Sequence, residues 1–161
     1  MANVSGGTFI KVKTTASGVF NIKQREANAG LRAVWQRVGE TWHKKHRPMH
    51  FTRSAYSRYN YDRRNKRYTK AKRAKWGHVK PLTYSGKSKA ATDKATIVST
   101  PKGVKIKMGA GNLTQRNPKS NINMEAELLK VNAQEQREYA TLMQTALDRM
   151  INLRNAQLRR K

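Results

Sequence analysis

Between residues 43 and 80 the chain carries fourteen lysines and arginines against a single acid, Asp62. Like charges packed this densely repel one another within a Debye length, so such a stretch needs a polyanion or an acidic neighbour to become compact. The remaining segments are milder. Residues 1–42 hold six cations and two acids, residues 81–124 eight and one, and residues 125–161 seven and five. The net charge is +26, far beyond what solubility demands, and it points to nucleic acid or an acidic protein surface as partner.

The 161 residues suit one domain, 1–161, with a body at 8–46 and 81–155, a basic arm at 47–80 and a flexible loop at 109–123. Hydrophobic residues make up 37% of the chain, enough for a modest core. There is no cysteine, which excludes disulfides and thiolate metal sites and gives no sign of an oxidising compartment. No apolar run approaches the roughly 18 residues of a membrane span, and Met1 to Gly7 lacks the layout of a secretion signal. The expected place of synthesis is the cytoplasm.

Alternation over Thr8–Lys13 predicts a short strand. From Ile22 onward, Leu31, Val34, Trp35, Val38 and Trp42 recur at i, i+3, i+4, i+7 and i+11, which predicts a helix with two indoles in the core. That helix is expected to end near His46, because Pro48 biases Arg47 away from helical angles. Two alternating runs, Ala95–Ser99 and Val104–Met108, flank a turn containing Pro101 and Gly103 and predict a β-hairpin. The Gly- and Asn-rich stretch 109–123 predicts a loop that packs little of its surface. From about Asn123 to Asn155 there is no Gly or Pro, and Tyr139, Leu142, Met143, Ala146, Leu147, Met150 and Ile151 fall on one helical face. The expected fold class is α+β: a hairpin or small sheet packed on an N-terminal helix and a long C-terminal helix, with an extended basic arm.

Catalytic motifs fail on inspection. Ser85-Gly86-Lys87-Ser88 matches the end of a phosphate-binding P-loop, but Pro81 stands where the first glycine belongs and no helix is expected directly after it. His43, His46 and His50 lie close together without a carboxylate beside them, and Lys44, Lys45 and Arg47 would repel a cation. Five of the nine acids sit in the C-terminal helix, so few remain for acid-base work. The chain is expected to be no enzyme, with no cofactor and no metal.

The arm carries the functional signal. Arg47, Arg53, Arg58, Arg63, Arg64 and Lys66, followed by Arg67, Lys70, Lys72, Arg73 and Lys75, can neutralise phosphates or carboxylates. Phe51, Tyr56, Tyr59, Tyr61, Tyr68 and Trp76 are interleaved with them, suited to stacking on bases or to anchoring the arm on a neighbouring subunit. With no clean period, the segment is expected to be an irregular arm with at most a helical turn or two, poorly ordered until it assembles.

In order along the chain, Trp42-His43-Lys44-Lys45-His46-Arg47-Pro48-Met49-His50-Phe51, Arg58-Tyr59-Asn60-Tyr61 and His78-Val79-Lys80-Pro81-Leu82-Thr83-Tyr84-Ser85-Gly86-Lys87 carry a resemblance. Together with Glu127-Leu128, Val131-Asn132, Glu135 and Tyr139 they resemble the neck and tail-completion proteins that join head to tail in tailed bacteriophages. The resemblance implies a structural virion protein at the neck or tail top. It would form a ring of six or twelve copies of itself around the DNA channel, beside portal, neck or tail proteins, with non-specific DNA contact and no membrane. It supplies no catalytic residues. The alternative is a ribosomal-type RNA-binding protein, although such a protein tends to be basic across its whole RNA face and here the final helix is nearly charge-balanced.

Overall fold

The computed structural model describes residues 24–114 and 122–160. The strand expected at Thr8–Lys13 lies outside the described residues, as does Ile22. The fold is α+β, with helices α1 (Gln24–Thr41), α2 (Ala55–Arg58), α3 (Lys66–Trp76), α4 (Lys87–Asp93), α5 (Met124–Leu128) and α6 (Ala133–Leu158). Strands β1 (Ala95–Thr100) and β2 (Gly103–Met108) form the two-stranded antiparallel sheet. Two compact units result, one built from 24–41, 97–106 and 133–160, the other from 42–96, 107–114 and 122–132.

In the first of these units α1 packs against α6. Val34, Trp35 and Val38 are buried on α1, and Tyr139 and Met143 on α6, at the spacings that the apolar stripes require. Gly39 lets α1 lie directly on the hairpin. A Cβ there would come within 2.8 Å of Ile97 Cγ2 and Val104 Cγ2. The hairpin alternates as expected, with Val104 and Ile106 buried and Lys105 outside. Thr100 Oγ1 accepts from the Lys102 amide at 3.3 Å and donates to the Gly103 carbonyl at 3.2 Å, closing the turn.

The second unit begins where α1 ends; the wide coil closes at His46, near the expected end, but Pro48 does not turn Arg47 out of helical geometry. The coil widens to a π-helical turn at Trp42–His46 and tightens to a 3-10 turn at Arg47–Phe51, with Pro48 near its start. A proline there removes a donor that a helix start leaves unpaired anyway. Trp42, His50 and Phe51 are fully or nearly fully buried.

Residues 47–80 are no extended arm, which corrects the expectation of an irregular segment. Phe51, Ala55, Tyr59 and Tyr61 are core, and α3 is a three-turn helix. The aromatics pack by tertiary stacking rather than on one helical face, so no period announces them. The loop is corrected as well: Ala110 and Leu113 are buried, and the Asn112 amide donates to Ser88 Oγ at 3.2 Å. Residues 115–121 lie outside the described residues.

The expected single helix from Asn123 is two helices. Asn123 caps α5, its side chain accepting from the Ala126 amide at 3.0 Å. The Glu127 carbonyl then accepts from the Lys130 amide at 3.2 Å and from the Tyr61 hydroxyl at 2.7 Å, where an uninterrupted helix would use the amide of residue 131. A long-range contact ends α5, and α6 starts afresh at Ala133.

Candidate nucleic-acid interface

Helix α3 is well delimited for so charged a segment. The Asn65 side chain accepts from the Arg67 amide at 2.8 Å, and Gly77, at φ 68°, closes the helix with its amide on the Arg73 carbonyl. Four positions, Lys66, Thr69, Lys70 and Arg73, follow i, i+3, i+4 and i+7 and so share one face. They line an open cleft of about 860 Å³ together with Arg63, Arg64 and the rings of Tyr56 and Tyr61. Asp62 also lines it and is the one acid there.

Arg64 is not available to a partner. It grips Glu127 with both nitrogens, at 2.9 and 2.5 Å, and the two side chains are only 10% and 3% exposed. Burial works against the guanidinium charge, but the hydrogen-bonded Glu127 carboxylate more than offsets it and raises the pKa. Among the described residues, by contrast, Arg63, Lys66, Lys70 and Arg73 form no ion pair with a carboxylate.

Behind the cleft sits a buried polar-aromatic cluster. Tyr61 donates its only hydroxyl proton to the Glu127 carbonyl, so the 2.5 Å contact from His50 Nδ1 must carry the histidine's proton toward the Tyr61 oxygen. That fixes the neutral tautomer. Burial, aided by nearby His46, pushes the His50 pKa down to about 3. The ring stacks on Tyr59 with centroids 3.8 Å apart and an interplanar angle of 10°. The cluster meets the cleft through Tyr61, which lines it.

The other predicted residues divide sharply. Arg47 is buried and structural, bonding Thr92 Oγ1 at 2.9 Å, Asp93 Oδ1 at 2.5 Å and the His43 carbonyl at 3.2 Å. Phe51 and Tyr59 are core, while Arg53, Arg58 and Arg67 are exposed but do not line the cleft. Lys72 is buried, donates to the Lys80 carbonyl at 2.5 Å, and lies 5.6 Å from the Tyr68 ring centre. Burial, then the charge of Arg64, lowers its pKa to about 8. Tyr68, Lys75 and Trp76 are exposed on a neighbouring face of α3.

The three histidines do not converge. His43 Nε2 lies 3.0 Å from the Asp93 carbonyl, and His46 and His50 are buried. The P-loop-like stretch is corrected in one respect, since α4 follows Gly86 directly. The first glycine is still missing, and Ser88 Oγ is spent on the Asn112 amide.

Glu127 and Tyr84 were missed by sequence reasoning. Glu127 is 63 residues from its partner and reads as a helix-start acid, whereas Tyr84 lies in what reads as a turn. No family model, curated protein or solved structure matches this chain.

Proposed function

We propose that this chain is a non-catalytic structural protein that binds the backbone of nucleic acid through the cation stripe of α3. We further propose that it acts at the head-to-tail junction of a tailed bacteriophage, as a ring subunit around the DNA channel. The observation that carries the first part is the face Lys66, Lys70 and Arg73 with Arg63, held on a capped helix beside an open cleft and unopposed by ion-pairing carboxylates among the described residues. The motif resemblance and the arrangement of hairpin and closing helix support the second part. Interleaved aromatics would by themselves favour protein contact over nucleic acid. Since Phe51, Tyr59 and Tyr61 are consumed inside their own unit, charge is what most of this segment presents outward.

Replacing Arg63, Lys66, Lys70 and Arg73 together by Gln tests the reading, and Arg64 is left alone because it holds the fold. Duplex DNA affinity should collapse while the circular-dichroism melt stays near wild type. The slope of log affinity against log salt should become shallower by about 3.6, since each of the four phosphates no longer neutralised removes about 0.9. Unchanged affinity would overturn the nucleic-acid reading. For the junction, phage lacking the gene should yield filled heads and separate tails by electron microscopy; normal joined particles, or co-sedimentation of the chain with ribosomes, would defeat it.

A further inference from the structure

Tyr68 and Trp76, eight residues apart on α3, meet Tyr84 from the turn that follows. The Tyr68 and Tyr84 rings are 6.3 Å apart at 25°, and Trp76 meets Tyr84 edge-on at 5.6 Å and 70°. This cluster is not core: the three residues are 42%, 39% and 42% exposed. The turn that presents Tyr84 is firmly held, because Pro81 and Leu82 are buried even though Leu82 takes φ 52°, a conformation that side chains other than Gly and Asn rarely adopt.

The chain that carries these rings is strongly cationic. Lys75 Nζ lies 5.5 Å from the Trp76 ring centre and Lys72 Nζ 5.6 Å from that of Tyr68. No acid occurs anywhere in residues 63–92. An adjacent face of the same helix carries the stripe from Lys66 to Arg73, roughly 10 Å long at 1.5 Å per residue. Exposed π-faces beside closely spaced cations are complementary to a polymer that alternates flat rings with anions. A duplex keeps its base faces stacked inside, so only unpaired nucleotides can use the rings.

We propose that Tyr68, Trp76 and Tyr84 form a stacking platform for unpaired bases, whose phosphodiester backbone runs onto the cations of α3. The proposal rests on the reading that the α3 stripe meets nucleic acid. It adds a preference for single-stranded ends or locally opened strands over duplex.

The test measures fluorescence anisotropy of a labelled 15-nucleotide oligo(dT) and of a 15-base-pair duplex against the full chain. Trp76→Ala, and separately Tyr68→Ala with Tyr84→Ala, should weaken oligo(dT) binding about tenfold or more while duplex affinity changes less than about twofold. Because Trp35 and Trp42 are buried, oligo(dT) should quench the emission that Trp76→Phe removes, and Trp76→Phe with Tyr84→Phe should keep most of the affinity. Melting curves of each variant establish that the fold persists. Ring variants that leave both affinities unchanged would overturn the platform and leave the cation stripe standing. An equal loss on both oligonucleotides would overturn it too, since the rings would then be supporting α3. If the wild type binds neither oligonucleotide, the stripe and the platform fail together. Unchanged oligonucleotide binding in variants that no longer bind a virion protein would make the patch a protein interface.

Discussion

Removing either partner of the Arg64–Glu127 pair should destabilise the protein severely, and removing both should do less harm than the sum. The guanidinium and carboxylate meet through two hydrogen bonds at 2.9 and 2.5 Å, 10% and 3% exposed. Taking one charge away leaves the other desolvated without compensation, which costs about 3–5 kcal/mol for buried pairs. Glu127→Gln is the harsher case electrostatically, since it strands Arg64 among other cations, with Arg63 beside it in sequence and Lys72 within its field. Arg64→Gln strands a buried carboxylate on α5. At about 2–4 °C per kcal/mol for a chain of this size, each single variant should melt about 6–20 °C lower. The double variant should recover about 1.5–3 kcal/mol relative to additivity. Urea and thermal melts, followed by far-ultraviolet circular dichroism and tryptophan emission, give all four corners of the cycle. Single variants within about 1 kcal/mol of wild type, or strict additivity, would refute the claim that this pair locks residues 47–80 onto α5.

Order in the isolated chain is a second expectation. The amides of Tyr59, Tyr61 and Gly77 donate to Ala55, Tyr56 and Arg73 at 3.0, 3.1 and 2.8 Å, so they should resist hydrogen exchange before any assembly; unprotected rates there would restore the disordered arm. Lys72 sets a pH dependence. Its pKa is about 8 folded and near 10.5 unfolded, so the unfolded chain binds more protons between those values and stability rises with pH across that window. The Lys72→Met variant should lack up to about 1.4 kcal/mol per pH unit of that rise, and a difference between variant and wild type that is flat from pH 8 to pH 10.5 would contradict the buried ammonium.

Elements whose signal is local could be read from the chain. Trp35 and Val38 are buried because a 3.6-residue period placed them on one face, and the hairpin forms where alternating runs flank Pro101 and Gly103. The same logic found Tyr139 and Met143. It failed where partners are distant. Nothing near Glu127 signals that its carbonyl will accept from Tyr61 and its carboxylate from Arg64, so neither the break after α5 nor the structural role of Arg64 was visible. Aromatics at 51, 59 and 61 follow no helical or strand period, because His50 and the tyrosines stack on one another across turns. For the candidate interface, residue type was legible and division of labour was not. Arg47, Arg64 and Lys72 are spent on the fold, whereas Arg63, Lys66, Lys70 and Arg73 face the cleft.

That division decides how salt should act. A net charge of +26 makes the free chain repel itself, and screening relieves repulsion between exposed cations far more than it weakens a buried pair such as Arg64–Glu127. Raising salt from about 50 to about 300 mM should therefore raise the melting temperature of the isolated protein. Binding to a polyanion runs the other way, because condensed counterions released from phosphates favour the complex less as salt increases. The four cations at the cleft, which have no carboxylate partner among the described residues, would thus be a cost to the free chain and a driving force once a polyanion arrives. Melts and anisotropy titrations at matched salt concentrations should move in opposite directions. If added salt instead lowers the melting temperature, surface ion pairs outweigh the repulsion, and the cations of α3 are not held in reserve for a partner.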